Sequence, residues 1–468
     1  MPEREPGHRG GAPGLADVRA GGGRSGEPPR ATVGGHDASS AGERRAGTAR
    51  DADPRSVAED VARRSYGKLV ALLASRCRDI AAAEDALSDA FATALVEWPA
   101  TGAPTNPEGW LLTVARRKLI DGLRRRHSAE NAVDHLQLIA DELGAVDGAQ
   151  PADERLALMF ACAHPAIDPA VRAPLILQSI LGFDAARIGS AFLVSPTSMG
   201  QRLVRAKRKI REAGIPLRRP EASELGERLD AVLEAIYAAF GEGWSDPAGT
   251  GHTRRDLADD AIWLGRLVAS ELPDEAEALG LLSLMLHAQA RRDARRDAVG
   301  AYVPLAEQDP ARWDGAMIDE AEALLARASR SSGLGRYQLE AAVQSAHAVR
   351  RFTGRSDWPA IVALYDRLLA LTTSPVVAVN RAVAVAELDG ARAGLDALDE
   401  VPGEARLATY QPFQAARAEL LSRVGDHAAA DDAYEKAIGL AVDPAIRQFL
   451  QSRRTAMRLG ATPESDER

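Results

Sequence analysis

The sequence predicts an all-α protein. Nearly half of its 468 residues are apolar, led by Ala, Leu and Val, and Ala, Leu, Arg and Glu all favour helix. Apolar residues recur at three- and four-residue spacing along most of the chain, the period of an amphipathic helix. Aromatics make up only 4% and long β-branched runs are missing, so the composition does not supply a sheet. The length exceeds what one hydrophobic core usually organises, and more than one domain is expected.

Residues 1–54 read as a disordered extension, or as upstream sequence included by a misassigned start codon. They are rich in Gly, Pro, Arg and Ser, with no apolar run for a signal peptide and no acid-free pattern for a transit peptide. A first helical domain follows over 55–127, then an acidic linker over 128–152, beginning "SAENAVDHLQLIADELG". A second helical domain is expected over 153–215. The Pro-rich, charged "GIPLRRPEASELGER" then opens a larger helical domain over 216–460, with a tail at 461–468. No run of about eighteen apolar residues is present, so no membrane span is expected. Two cysteines, Cys77 and Cys162, cannot build a disulfide framework and suit a reducing cytoplasm.

Within the first domain, "AEDALSDAFATALVEW" (83–98) predicts a helix packed through Ala86, Leu87, Ala90, Phe91, Ala94 and Leu95. Glu84, Asp85, Ser88 and Asp89 are then expected outward, as favourable dipole charges and as a protein-facing patch. The next helix, "NPEGWLLTVARRKLIDGLRRRHS", starts at Pro107 and Glu108 after Asn106. Its expected core stripe is Leu112, Ala115, Leu119 and Leu123. The opposite face carries Trp110, Val114, Arg117, Asp121 and Arg125, edged by Lys118 and Arg124. A ring that stacks on bases beside cations that track phosphates suits single-stranded DNA. The wheel equally allows Trp110 to pack on the preceding helix.

The chain has a formal net charge of −9, yet eight residues from Arg202 to Arg219 are Arg or Lys against one Glu. "ARIGSAFLVSPTSMGQRLVRAKRKIR" reads as a helix-turn-helix. A short helix spans 185–192, Leu193-Val194 turns, Ser195 caps and Pro196 opens the second helix. Met199, Leu203, Ala206 and Ile210 form the buried stripe. Thr197, Gln201, Arg205 and Arg208 lie opposite, flanked by Ser198 and Arg202, with Lys207 and Lys209 available for phosphates. Polar side chains near the N-terminal end are placed to read base edges, and the later cations to hold the backbone. The alternative is a solvated cationic helix; the turn, cap and stripe together favour DNA.

Nothing in the large domain predicts chemistry, and neither cofactor nor metal is expected. His252, His287 and His347 lack metal-ligand spacing, "GTGHTRRD" lacks a phosphate-loop lysine, and no nucleophile elbow occurs. Cys162 and His164, in "CAHP", lack a second ligand pair, so a buried thiol is expected. "QARRDARRD" (289–297) reads as a salt-bridged helical surface, or as a clamp on the first two domains. In "LLSRVGDHAAADDAYEKAIGLAVDP", Ala430, Tyr434 and Ala437 after Gly425-Asp426 have the spacing of a tetratricopeptide second helix.

The order of these motifs over about residues 56–215 resembles bacterial RNA polymerase sigma factors of the extracytoplasmic-function type. "IYAAFGEGWS", "GRYQLEAAVQSAHA" and "SPVVAVNRAVAVAELDG" resemble the subgroup with a tetratricopeptide-like C-terminal extension. Gly241, where Asn is usual, and Pro310, where Arg is usual, depart from that pattern. The resemblance implies core RNA polymerase as partner, through its β′ clamp and β flap, and promoter DNA as ligand. The β′ clamp would take Glu84, Asp85, Ser88, Asp89 and Phe91. The Asn106–Arg125 helix would engage and help melt the −10 element, and the Ser195–Arg211 helix would read the −35 element. The linker would thread toward the RNA exit channel, and the C-terminal domain would contact a regulatory protein. The other reading is a helix-turn-helix adaptor that binds duplex without melting it; such an adaptor has no use for the Trp110 platform.

Overall fold

The computed structural model describes residues 53–126, 154–192, 194–244, 252–331, 333–401 and 407–460. The extension, the linker, the tail and Leu193 therefore lie outside the described residues, as do the side chains of Leu123, Arg124, Arg125 and His252. The fold is all-α: the only β pairing among the described residues is a single bridge between Arg296 and Tyr302.

Side-chain caps set the helix starts. Asp53 accepts the Arg55 N–H at α1 (Pro54–Cys77), and Asp79 accepts that of Ala82 at α2 (Ile80–Thr101). Asn106 accepts the Gly109 N–H at 3.0 Å to open α3 (Pro107–Arg126). The second domain contains α4 (Arg155–Cys162), α5 (Pro169–Leu181), α6 (Ala185–Ala191) and α7 (Pro196–Glu212). Every residue of α4 from Leu156 to Cys162 is buried, so this short helix is a core plug rather than an amphipathic surface helix.

One hydrophobic core runs from Ala58 in α1 through α2–α7 and into α8 (Ala222–Trp244), α9 (His252–Glu271) and α10 (Ala276–Gln289). Helix α1 meets α5 backbone to backbone: a Cβ on Gly67 would stand 2.1 Å from the Ile180 carbonyl oxygen. Helix α8 covers α5, so the core does not divide near residue 216. The remaining chain folds as successive hairpins: α11 (Gly315–Ala328), α12 (Arg336–Ala348), α13 (Arg350–Thr353), α14 (Trp358–Thr372), α15 (Pro375–Asp389) and α16 (Ala391–Asp399). It closes with α17 (Gln411–Arg423), α18 (His427–Leu440) and α19 (Pro444–Gly460) around a second core. Ala430, Tyr434 and Ala437 are buried there, and the Tyr434 hydroxyl donates to Glu419 at 2.9 Å.

Three expectations from the wheel change in the fold. In α3 the buried stripe is Leu111, Ala115 and Leu119, with Leu112 only half-buried, because α1 and α2 flank the helix from two sides. Leu95 of α2, expected in the packed face, is 47% exposed. Residues 289–297 form no salt-bridged helix. Helix α10 stops at Gln289, and a 3-10 turn over Arg292–Arg295 turns these arginines inward. Arg292 and Arg295 donate to the carbonyl oxygens of Gly243 and Trp244, and the Arg295 guanidinium lies 4.6 Å from the Trp244 ring centre. They hold the "GEGW" end of α8.

A carboxylate from another helix caps α12. Its N-cap position is Gly335, which has no side chain to offer. Glu277 of α10 accepts the N–H groups of Tyr337 and Gln338 at 3.0 and 3.1 Å instead. Glu277→Ala is expected to lower stability by about 1–2 kcal/mol, as cap loss does, read from chemical denaturation of the full chain. An unchanged midpoint would refute the role.

Candidate nucleic-acid interface

The turn between α6 and α7 is closed by backbone. Asp184 accepts the Arg187 N–H at 2.7 Å to start α6, and the Gly189 carbonyl accepts the Val194 N–H at 2.8 Å. A Cβ on Gly189 would lie 2.6 Å from the Val194 carbonyl oxygen, so the chain can reverse this tightly only at glycine. Ser195 then accepts the Ser198 N–H at 3.3 Å, and Pro196 occupies the first turn of α7. Met199, Leu203, Ala206 and Ile210 are buried, anchoring α7 on the core.

The outer face of α7 presents Thr197, Ser198, Gln201, Arg202, Arg205, Arg208 and Lys209, all exposed. Arg205 Nε donates to the Gln201 carbonyl oxygen at 3.2 Å, which lays that guanidinium along the helix. Arg208 makes only a long surface pair with Glu212, at 3.7 Å. Sequence reasoning, which selected polar residues, passed over Val204. It stands 67% exposed, seven residues after Thr197 and four before Arg208, on the same outward stripe. The wheel alone could have found it.

Lys207 requires a correction. It is not on the outer face: its ammonium pairs with Glu84 of α2, and the two side chains are only 9% and 12% exposed. Ser179 of α5 donates to the other Glu84 oxygen at 3.0 Å. Glu84, expected outward, is therefore turned into the junction of α2, α5 and α7. Burial pushes its carboxyl pKa up, and the Lys207 ammonium opposes that shift. The nearby Cys162 thiol, fully buried, is pushed up to about 12, first by burial and then by Glu84. It is the inert core thiol its sequence context suggested. Arg211 reaches Asp79 at 3.3 Å, a second ion pair between α7 and the start of α2.

On α3, Trp110 is half-buried. Its ring meets Trp98 of α2 edge to face, with centroids 5.3 Å apart and planes at 65°. The packed alternative thus holds in part: one side of the ring is taken by α2. Val114 also packs against the core, whereas Arg117, Lys118 and Asp121 are exposed. Asn106 is exposed, with its oxygen committed to the α3 cap. Glu108 ties α3 to α1, accepting from Ser65 at 2.5 Å and from Lys68 at 3.5 Å.

Asp85, Ser88 and Asp89 lie outward on α2, and Phe91 is half-buried against the core. The same helix exposes Leu95 and, at 76%, Val96.

Residues 61–129, which span most of α1 and all of α3, match the family model described as Sigma-70 region 2. Residues 61–129 are thus a sigma-70 region 2 domain by family. That region covers both the outer face of α2 and the Trp110 helix. Residues 228–329 match a family of unknown function, DUF6596, which covers α8–α11. An uncharacterized protein of Rhizobium meliloti (strain 1021), R00370, is 39% identical over 381 residues, 80% of this chain and 89% of that relative. No solved structure matches.

Among the described residues, no group of three or more His, Cys, Asp or Glu could hold a metal ion, and no helix is long and apolar enough to cross a membrane. His287 is buried, with its pKa lowered to about 3 by burial and then by Arg291 and Arg351. It is a neutral core residue near Glu322 at 3.5 Å.

The geometry of the turn generates a direct test. Gly189→Val forces a methyl pair onto the Val194 carbonyl and is expected to cost about 1–3 kcal/mol, as overpacking does. Duplex binding should fall with it. Thermal melting and fluorescence anisotropy check both, and normal values of each would show that the turn tolerates a side chain.

Proposed function

We propose that this protein is a sigma factor that binds core RNA polymerase through the outward strip of α2 and reads a bipartite promoter. Asp85, Ser88, Asp89, Leu95 and Val96 face the β′ clamp, and α6–α7 engage the −35 element at the β flap. The observation that supports this best is the outward stripe of α7. Thr197, Gln201, Val204 and Arg208 lie in one line, flanked by Ser198, Arg202, Arg205 and Lys209, on a helix whose opposite face is fully buried. That is the arrangement of a helix presented to a major groove.

The −10 element meets α3. Trp110 offers the part of its ring that Trp98 leaves uncovered, and Arg117 and Lys118 track the phosphates, with Asn106, Val114 and Asp121 on the same helix; Arg124 and Arg125, whose side chains lie outside the described residues, follow in its last turn. Melting needs no covalent chemistry. Unpaired bases gain stacking and cation contacts that the closed duplex cannot make, so binding favours the open form. We read the C-terminal hairpins as tetratricopeptide-like, an extended helical surface for a regulatory protein.

Two measurements test this reading. Core polymerase supplied with this protein alone is expected to yield promoter-specific run-off transcripts. Tight duplex binding without any transcript would favour the adaptor instead. On the transcribed promoters, Arg205→Ala is expected to lose about 1–3 kcal/mol at one −35 position if it reads a base edge. Val204→Ser is expected to erase preference for thymine over deoxyuridine at a neighbouring position, since only thymine offers a methyl group for apolar contact. Uniform weakening on every sequence would place both side chains on the backbone.

A further inference from the structure

Between α10 and α11 the chain makes a tight turn that reaches the far end of the C-terminal helices. The turn holds its own shape. Asp297 accepts the N–H groups of Val299 and Ala301 at 2.9 and 2.8 Å, and Gly300 has a φ of +84°. The Arg295 carbonyl oxygen accepts the Val303 N–H at 2.8 Å, and Arg296 and Tyr302 form an antiparallel bridge. Residues opposite each other in such a bridge send their side chains to the same face, so a guanidinium and an aromatic ring stand together. The base of the turn is anchored as well. Ala294, Leu305 and Trp313 share a small core, and Arg312 donates to the Arg296 carbonyl oxygen at 2.8 Å.

Both side chains land on the start of α19. Arg296 donates to Asp443 at 2.5 Å, 147 positions later, and the Tyr302 ring meets Phe449 edge to face with centroids 5.4 Å apart. The receiving surface is held in place by contacts of its own. The other Asp443 oxygen accepts the Ala445 N–H at 2.8 Å, which fixes the carboxylate at the head of α19. Phe449 is half-buried against the second core, and one helical turn further Arg453 is held by Glu419 of α17 at 2.9 and 3.1 Å.

Two features separate this contact from core packing. In an open array of helical hairpins each unit touches only its neighbours. The turn instead passes over α12–α18 to the last helix. No apolar core is shared across the contact: among the described residues, the second core has no member from the turn, and the small core under the turn has none from α19. One ion pair and one ring pair join the two sides, with the Arg296 and Asp443 side chains 31% and 13% exposed. Each side keeps its internal hydrogen bonds if they part. Val442, next to Asp443, stays 75% exposed, so a binder that also covers it gains apolar area that the turn does not bury.

We infer that the face of α19 around Asp443 and Phe449 is a docking site for a protein segment that presents an arginine beside an aromatic ring on a tight turn, and that residues 296–302 occupy this site until such a partner replaces them. The inference deepens the reading of the C-terminal hairpins as a protein-binding surface, and rests on it only for the existence of a partner. Occupation by the chain's own turn sets a threshold, because a partner binds only the fraction of molecules whose turn has left.

The probe is a fluorescein-labelled peptide of residues 295–303, closed by a disulfide between cysteines added at its ends, and read by anisotropy against the full chain. Arg296→Glu with Tyr302→Ala empties the site in the protein and is expected to bind this peptide roughly ten- to hundredfold tighter than the wild type does. A peptide carrying the same two substitutions is expected to bind neither protein. Spin labels at Ala298→Cys and Gln451→Cys, two exposed positions, in a Cys77→Ser background read the contact with the turn's Arg296 and Tyr302 intact. Double electron–electron resonance is expected to give one short distance, replaced by longer ones when peptide is added at about a thousandfold above its Kd for the emptied protein.

Circular dichroism shows whether the emptied protein is folded, and the spin-label measurement decides the question without it. Equal peptide affinity for the wild type and the emptied protein would overturn occupation by the turn. No binding to a folded emptied protein, or a short distance that persists in excess peptide, would reduce the contact to internal packing and refute the docking site. Neither measurement contains polymerase or DNA, so a failure of the promoter reading is separate from a failure here.

Discussion

One buried carboxylate organises the N-terminal half of this protein. Glu84 belongs to region 2, yet its partners, Lys207 and Ser179, come from α7 and α5. A buried ion pair contributes little net stability, because desolvation offsets attraction. It does specify geometry: removing either partner leaves an uncompensated group, so the two halves have one favoured register. Around this polar point the core is apolar and continuous from α1 to α10, and the hydrophobic effect supplies the adhesion that the ion pair orients.

The outward face of α7 is built from the same contact. Because Lys207 faces inward, α7 is held with Met199, Leu203, Ala206 and Ile210 against the core and with its outer stripe in water. The Gly189 turn and the Ser195 cap fix the angle at which α7 leaves α6. The cations of α7 accordingly divide into two groups. Lys207 and Arg211 serve the chain, while Arg202, Arg205, Arg208 and Lys209 face outward. An acidic protein that concentrates positive charge on one helix thus uses some of it internally and leaves the rest exposed.

The C-terminal region repeats this economy of local and distant contacts. Arginines that look like surface charge in the sequence, Arg292 and Arg295, bind backbone oxygens at the end of α8. Glu277 caps a helix that begins about sixty residues away in sequence. Tyr434, Glu419 and Arg453 form a buried polar link between α17, α18 and α19. In each case a polar side chain satisfies groups that packing would otherwise leave without water.

What could be read from residues alone is what depends on near neighbours. The helix periods, the cap at Ser195 and the buried stripe of α7 all follow from interactions within a few positions. The Ala430, Tyr434 and Ala437 face belongs to the same class. What only tertiary structure decided is which of two equivalent faces meets another helix. Leu111 rather than Leu112 is buried, Leu95 is bare, Trp110 leans on Trp98, and Glu84 and Lys207 find each other across 123 positions. A helical wheel ranks faces by polarity and contains no neighbour. A lysine on the flank of a basic helix looks the same whether it faces phosphate or a carboxylate, until long-range packing brings one of them within reach.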